Sequence, residues 1–169
     1  MIYNLTIRPL NDSDSIEELT DLLHRAYAVL AEMGFRYYAT HQTPEQTKER
    51  ISKGQCYVAV FNDNIIGTIT YYTSENTHGS PFLNTQGVSH MGQMGVEPAL
   101  QKHGIATKLI KYVEQIAHEN GDKELALDTA EGASHLIEWY KRLGYRFIEY
   151  ISWDVTNYRS VVMSKKICD

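Results

Sequence analysis

The sequence predicts an α/β (α+β) fold, a mixed sheet of about seven strands flanked by about four helices. Three observations carry this expectation. Segments rich in β-branched and aromatic residues alternate with segments whose apolar residues recur at helical intervals. Capping residues and glycines fall where one kind gives way to the other. The 169 residues, 43% hydrophobic and 22% charged, have the size and make-up of a single globular domain, residues 1–169, around one sizeable core.

The first strand is predicted at Leu5 to Arg8. An Asp- and Ser-rich loop (NDSDS) follows, and Asp14 and Glu17 have capping-box spacing. Ile16, Leu19, Leu23, Ala26 and Leu30 then recur at helical intervals until Gly34. In TPEQ, Thr43 fits the N-cap, Pro44 the first helical position and Gln46 the third, opening a shorter helix that runs to about Lys53. Cys56 to Phe61 and Ile65 to Tyr72 form a hairpin across Asn62-Asp63-Asn64. The polar stretch SENTHGSPFLNTQG reads as a loop, with a flap as one role open to it. His90 to Val96 is a strand. A turn then leads into a helix ending near Asn120-Gly121. Leu125 to Asp128 is a short strand and Ala133 to Leu143 a helix with Lys141 and Arg142 near its end. Phe147 to Asp154 and Arg159 to Ser164 are the last two strands.

Composition narrows the function. No apolar run is long enough to span a membrane. MIYNLTIRPL lacks the basic and apolar regions of a signal peptide, so a cytoplasmic location is expected. Cys56 and Cys168 make no disulfide framework, and Cys56, opening a strand, reads as a buried structural thiol. The net charge of −5 weighs against a nucleic-acid partner and is compatible with a cationic small substrate. The seven histidines show no i,i+4 or finger spacing, so no metal site is expected. Asp128 and Glu131, beside a strand end, read as solvated loop carboxylates or as contacts for a cationic acceptor.

One stretch, VEPALQKHGIATKLI, has the form of strand, turn and helix N-terminus that binds anions. The first N–H groups of a helix lack intrahelical partners, and the helix dipole adds positive charge there. Gly104 and the small Ala106 would let a phosphate approach, with Lys102, His103 and Lys108 adding charge. Ile105, Leu109, Val113 and Ile116 form an apolar stripe that packs the helix on the sheet. The stretch matches neither the P-loop nor the dinucleotide fingerprint, and a helix that merely starts at a glycine also fits.

With its surroundings, this stretch resembles the GCN5-related N-acetyltransferase (GNAT) superfamily. MGVEPALQKHGIATKLI matches the family's donor motif at Val96, Pro98, Gln101, Gly104 and Ala106. EWYKRLGYRF matches a second motif at Tyr140, Gly144 and Tyr145, and the order of elements agrees across nearly the whole chain. The resemblance implies a mostly antiparallel central sheet, acetyl-CoA as cosubstrate and an amine acceptor, with a homodimer as a form members often take. It implies that the backbone of Lys102, His103, Gly104, Ile105 and Ala106 cradles the coenzyme A diphosphate, with Gln101 shaping the loop. Met94, Gly95 and Val96 would pair with the pantetheine arm and supply an oxyanion donor. Gly92 and Gly95 would permit a bulge there or merely thin the strand.

For the chemistry, the resemblance points to His90 as base, on the side of Val96 if no bulge intervenes. Glu97 and a bound water are the other bases to weigh, and a solvated histidine is the bland reading. Tyr140 would be the acid toward the departing thiolate, against a reading as an aromatic core residue beside Trp139. The family builds its acceptor pocket from the loop that here reads FRYYATHQ. Phe35, Tyr37 and Tyr38 would then form a wall for the amine or a plug over the core. The expected activity is N-acetylation of a small-molecule primary amine by direct attack on the thioester. Acetylation of a peptide or protein, and acyl-CoA binding without turnover, are the alternatives.

Overall fold

The computed structural model describes residues 4–169. One seven-stranded sheet runs in the order β1-β2-β3-β4-β5-β7-β6. Its strands are β1 (Thr6–Pro9), β2 (Gln55–Phe61), β3 (Asn64–Tyr72), β4 (Val88–Val96), β5 (Glu124–Ala130), β6 (Arg146–Ser152) and β7 (Arg159–Lys166). The helices are α1 (Ile16–Glu32), α2 (Pro44–Ser52), α3 (Ile105–Glu119) and α4 (Ser134–Arg142). Every neighbouring pair is antiparallel except β4 and β5. The expected mixed, mostly antiparallel α/β sheet is what the chain forms.

Alternation along β2 sorts the helices onto two faces. Cys56 and Val58 pack with Leu19 and Leu22 of α1. Tyr57 and Ala59, pointing the other way, pack with Leu109 and Val113 of α3. The apolar stripe of α3 is thus buried as its spacing predicts. Asn62 and Asp63 both take positive φ, 48° and 61°, which makes the β2–β3 connection a tight two-residue turn. Asn64 already belongs to β3.

Helix starts follow the chain's own chemistry, with one correction. Thr43 caps α2 and forms the expected reciprocal box with Gln46. At α1 the cap is Ser15, which accepts from the Glu18 N–H, not Asp14. Asp14 is drawn away by a 2.7 Å ion pair with Arg8. The long polar loop is not a free flap. Leu83 is buried and packs with Val88, Ala126 and Val162.

The site is positioned by a parting of strands. β4 and β5 pair only from Val88–Glu124 to His90–Ala126. Beyond this point Met91–Val96 and Leu127–Ala130 diverge. A bulge steepens the departure. Thr70 faces Gly92 and Thr68 faces Gly95, so Gln93 and Met94 together oppose Ile69. Gln93 holds the strained φ of 48°. Gly95 has another role. A Cβ there would lie 2.9 Å from the Cβ of Ala26, so the glycine lets α1 lie close on β4.

The bulge overturns the expected parity of β4. His90 packs beside Tyr72, with ring centroids 5.7 Å apart. Val96 lies in the core beneath α3. The two residues therefore face opposite sides of the sheet.

Candidate active site

The C-terminal end of β4 builds one wall of a cleft. After Val96 the chain makes a 3-10 turn at Pro98–Leu100. Gln101 then reaches back, its Nε2 donating to the Val96 carbonyl at 3.3 Å, and this ties the loop to the strand end. Lys102 and Gly104 adopt left-handed backbone, with φ of 66° and 79°, and swing the chain into α3. Gly104 is the N-cap and offers no side-chain cap, so the first N–H groups of α3 are available to an anion. A Cβ on Gly104 would meet nothing within 4 Å. The space above the turn is open.

This cleft has a volume of about 550 Å³. Met94, Gly95, Val96, Gln101, Lys102, Gly104, Ile105 and Ala106 all line it, opposite Leu136 and Tyr140 of α4. His103 does not. It sits exposed between the two left-handed residues.

A second cleft, of about 370 Å³, opens beside it, against α2 and the loops around Tyr38, Thr77 and Thr156. Tyr27, Tyr37, Met94 and Tyr140 line both. The two clefts therefore meet where β4 and β5 have parted.

His90 lines the second cleft, its Nε2 lying 3.2 Å from Asp128 Oδ1. Trp153 Nε1 donates to the other oxygen, Oδ2, at 2.9 Å. Burial pushes the Asp128 carboxyl up. The hydrogen bond and charge of His90, with the Trp153 N–H, outweigh this and hold it below the usual carboxylate range. Asp128 thus fixes the imidazole in place. It is not the solvated loop carboxylate expected from sequence, since it lies within β5 and only 21% of its side chain is exposed.

Tyr140 stands at the junction. Its ring packs on Trp139 at 4.9 Å and on Tyr145 at 6.1 Å. Burial, with the neighbouring Tyr27, Tyr37 and Asp128, pushes its phenol well above the ordinary tyrosine value. It therefore stays protonated, a hydrogen-bond donor more than an acid.

The aromatic loop divides. The Tyr37 hydroxyl accepts from the Ala130 N–H at 3.0 Å and bonds Thr129 Oγ1 at 2.8 Å, which pins its ring in the passage. Tyr38 lines the second cleft. Phe35 lines neither. It packs edge-on against Tyr158 and within 2.7 Å of where a Gly132 Cβ would be, a plug and not a wall. Glu97 is engaged by Arg25 at 2.7 Å and lines neither cleft. Cys56 is buried, and burial pushes its thiol up, which leaves a poor nucleophile.

Sequence reasoning missed Arg50, Gln93 and Trp153 as parts of the site, and misread Asp128. For Asp128 a signal existed. In ELALDTA, Asp128 follows three apolar residues inside the strand, and a carboxylate largely removed from water needs partners. Among the described residues, no helix is long and apolar enough to cross a membrane.

Comparison with known proteins agrees with this geometry. The family model described as "Acetyltransferase (GNAT) family" matches residues 16–145. The chain is 33% identical over 131 residues to an S-(2-succino)cysteine N-acetyltransferase of Bacillus subtilis (strain 168), a match covering 76% of this chain and 77% of that protein. Among solved structures, it is similar to a GNAT family acetyltransferase from Elizabethkingia anophelis with acetyl-CoA bound. There the TM-score is 0.69 and the identity 20%, over 97% of this chain and 99% of the other. It is similar also to the ribosomal-protein-S18-alanine N-acetyltransferase of Escherichia coli. That TM-score is 0.70 and the identity 14%, over 98% and 95% of the chains. These structural likenesses show the fold.

Proposed function

The chain belongs to the GNAT acetyltransferase family, an enzyme with acetyl-CoA as its acetyl donor, and on that premise we propose that it acetylates the primary amine of a small molecule. The observation that carries this is the second cleft. Three loop segments, around Tyr38, Thr77 and Thr156, wall it, and its volume of about 370 Å³ suits a small ligand. The relative's acceptor, a modified cysteine, is of that size class.

In this reading the donor cleft holds the coenzyme through backbone groups. The uncapped N–H groups at the start of α3 face the diphosphate, and Lys102 adds charge. The diverging edge of β4 at Met94–Val96 pairs with the pantetheine arm and offers an N–H to the thioester oxygen. The acceptor enters from the other cleft, past His90. The ammonium gives up a proton, directly or through a water, to His90, and Asp128 stabilises the imidazolium that results. The amine nitrogen attacks the thioester carbon, the C–N bond forms and the C–S bond breaks. Sulfur leaves with the electron pair, and the Tyr140 hydroxyl donates a hydrogen bond to it. The nitrogen, cationic after attack, releases its second proton to solvent, and the thiolate takes one from solvent, so that the coenzyme departs as the free thiol while Tyr140 keeps its proton.

The test is release of free thiol from acetyl-CoA over a panel of small amines, S-(2-succino)cysteine included, and of peptides with free N-termini. Release with small amines and not with peptides is expected. Turnover of peptides alone would move the acceptor to the protein class. Acetyl-CoA binding with no release for any amine would refute catalysis.

A further inference from the structure

Arg50 occupies the last turn of α2 and lines the acceptor cleft. Its guanidinium carbon lies 4.9 Å from the centroid of the Tyr38 ring. Its Nη1 donates to Gln42 Oε1 at 2.6 Å. Gln42 is wholly buried and is itself held, its Nε2 donating to Gln93 Oε1 at 2.8 Å and to Thr47 Oγ1 at 2.7 Å. Gln93 is the bulge residue of β4. The bulge that opens the sheet therefore also anchors, through Gln42, the arginine beside the opening.

Like Arg36 and Arg142, this arginine makes no ion pair among the described residues. Arg8, Arg25, Arg146 and Arg159 each pair with a carboxylate. Arg50 pairs with none among the described residues, and Gln42 takes the one hydrogen bond its side chain makes there. A guanidinium carries five N–H donors in a planar fork that matches a carboxylate. The charge of Asp128 reaches Arg50, but the lining residues give it no hydrogen-bonded carboxylate. Asp128 is the one carboxylate among the lining residues, and His90 and Trp153 already engage it. Lys53 is a second cation at the cleft, paired with Glu49 at 3.1 Å on the helix surface. A chain of net charge −5 thus presents a locally cationic acceptor site.

We propose that Arg50, stacked on Tyr38 and anchored by Gln42, is a receptor for a carboxylate of the acceptor, so that the amine acetylated here belongs to an amino acid or another anionic amine. This rests on the acceptor reading of the second cleft. It replaces the cationic acceptor that the overall charge allowed. A carboxylate at Arg50 satisfies the open fork and neutralises a half-buried positive charge.

The test separates binding from turnover. Succinate, which has no amine, is titrated by calorimetry into the full-length chain saturated with coenzyme A. Wild type binds it, and Arg50→Gln weakens the affinity about 10- to 100-fold. Arg50→Lys, which keeps the charge and loses the fork, falls between, and it carries the comparison if Arg50→Gln does not fold. In parallel, kcat/KM is measured for each amino acid turned over and for its carboxamide. Wild type prefers the acid, and the variants lose that preference through KM. Succinate binding that is absent, or equal in wild type and variants, overturns the proposal. So does an unchanged acid-to-amide ratio. Succinate binding that depends on Arg50, without turnover of any amine, upholds the carboxylate site and refutes acetyl transfer.

Discussion

The imidazole of His90 and the carboxylate of Asp128 join β4 to β5 across a 3.2 Å contact at the point where the two strands stop pairing. His90 is the last residue of β4 paired to β5, and Asp128 lies two residues past its partner Ala126. The pair is thus held by the sheet on one side and open to the cleft on the other. If it serves as the base, His90→Gln lowers kcat/KM by about 10²- to 10⁴-fold with acetyl-CoA affinity kept. Asp128→Asn lowers it less, since the imidazole remains and only its orientation and charge stabilisation are lost. Steady-state kinetics checks both. Rates within about threefold of wild type for both variants would point to water as the base.

The same pair makes a prediction about stability and pH. Asp128 has a folded-state pKa held below its ordinary value, with burial opposing and His90 and Trp153 prevailing. A depressed carboxyl stabilises the fold above its unfolded value of about 3.9 and loses that contribution as pH falls through the folded value. Thermal melts should therefore show Asp128→Asn less stable than wild type at about pH 5 and above, with the gap closing below about pH 4. A gap that widens on acidification would mean that burial wins and the carboxyl is raised.

Tyr140 separates structure from chemistry. Its phenol is pushed up by burial and stays protonated, so in the proposed mechanism it would act by donating a hydrogen bond to the leaving sulfur. Tyr140→Phe keeps the ring contacts with Trp139 and Tyr145 and removes only the hydroxyl. The expected result is a fall in kcat of about 10- to 100-fold, the worth of one hydrogen bond to a charged group, with little change in the Kd for acetyl-CoA. Equal losses in both would mark the hydroxyl as part of donor binding.

Much of this was legible in the sequence because it is local. The Thr43-Pro44-Gln46 cap, the α3 stripe from Ile105 to Ile116 and the turn at Gln101–Ala106 are each written in a few adjacent residues. What was not legible depends on register and on distant partners. The bulge sits at Gln93, a residue with no conformational signature for positive φ, while the two glycines beside it drew attention. That one displaced residue reverses which side His90 faces. Asp14 looked like a cap until Arg8, across the loop, took it. The overall charge says little about the site, because it averages the whole surface, whereas Arg50, Lys53 and Asp128 line one cleft.

Gly95 offers a test of how the sheet is opened. It is paired with Thr68 just past the bulge, and its missing side chain lets α1 approach until Ala26 fills the space. Gly95→Ala places a methyl 2.9 Å from the Ala26 Cβ, a distance that backbone or helix must relieve. Overpacking of this kind costs about 1–3 kcal/mol. At about 2–4 °C per kcal/mol for a chain of this size, the melting temperature should drop by several degrees. Ala26→Gly alone costs about 1 kcal/mol in helix propensity. The double variant should be more stable than the sum of the two single losses allows, because each change removes the other's conflict. Chemical denaturation of all four proteins gives the coupling directly. Strict additivity would show that α1 relaxes away from β4 freely, and that Gly95 is not what sets their approach.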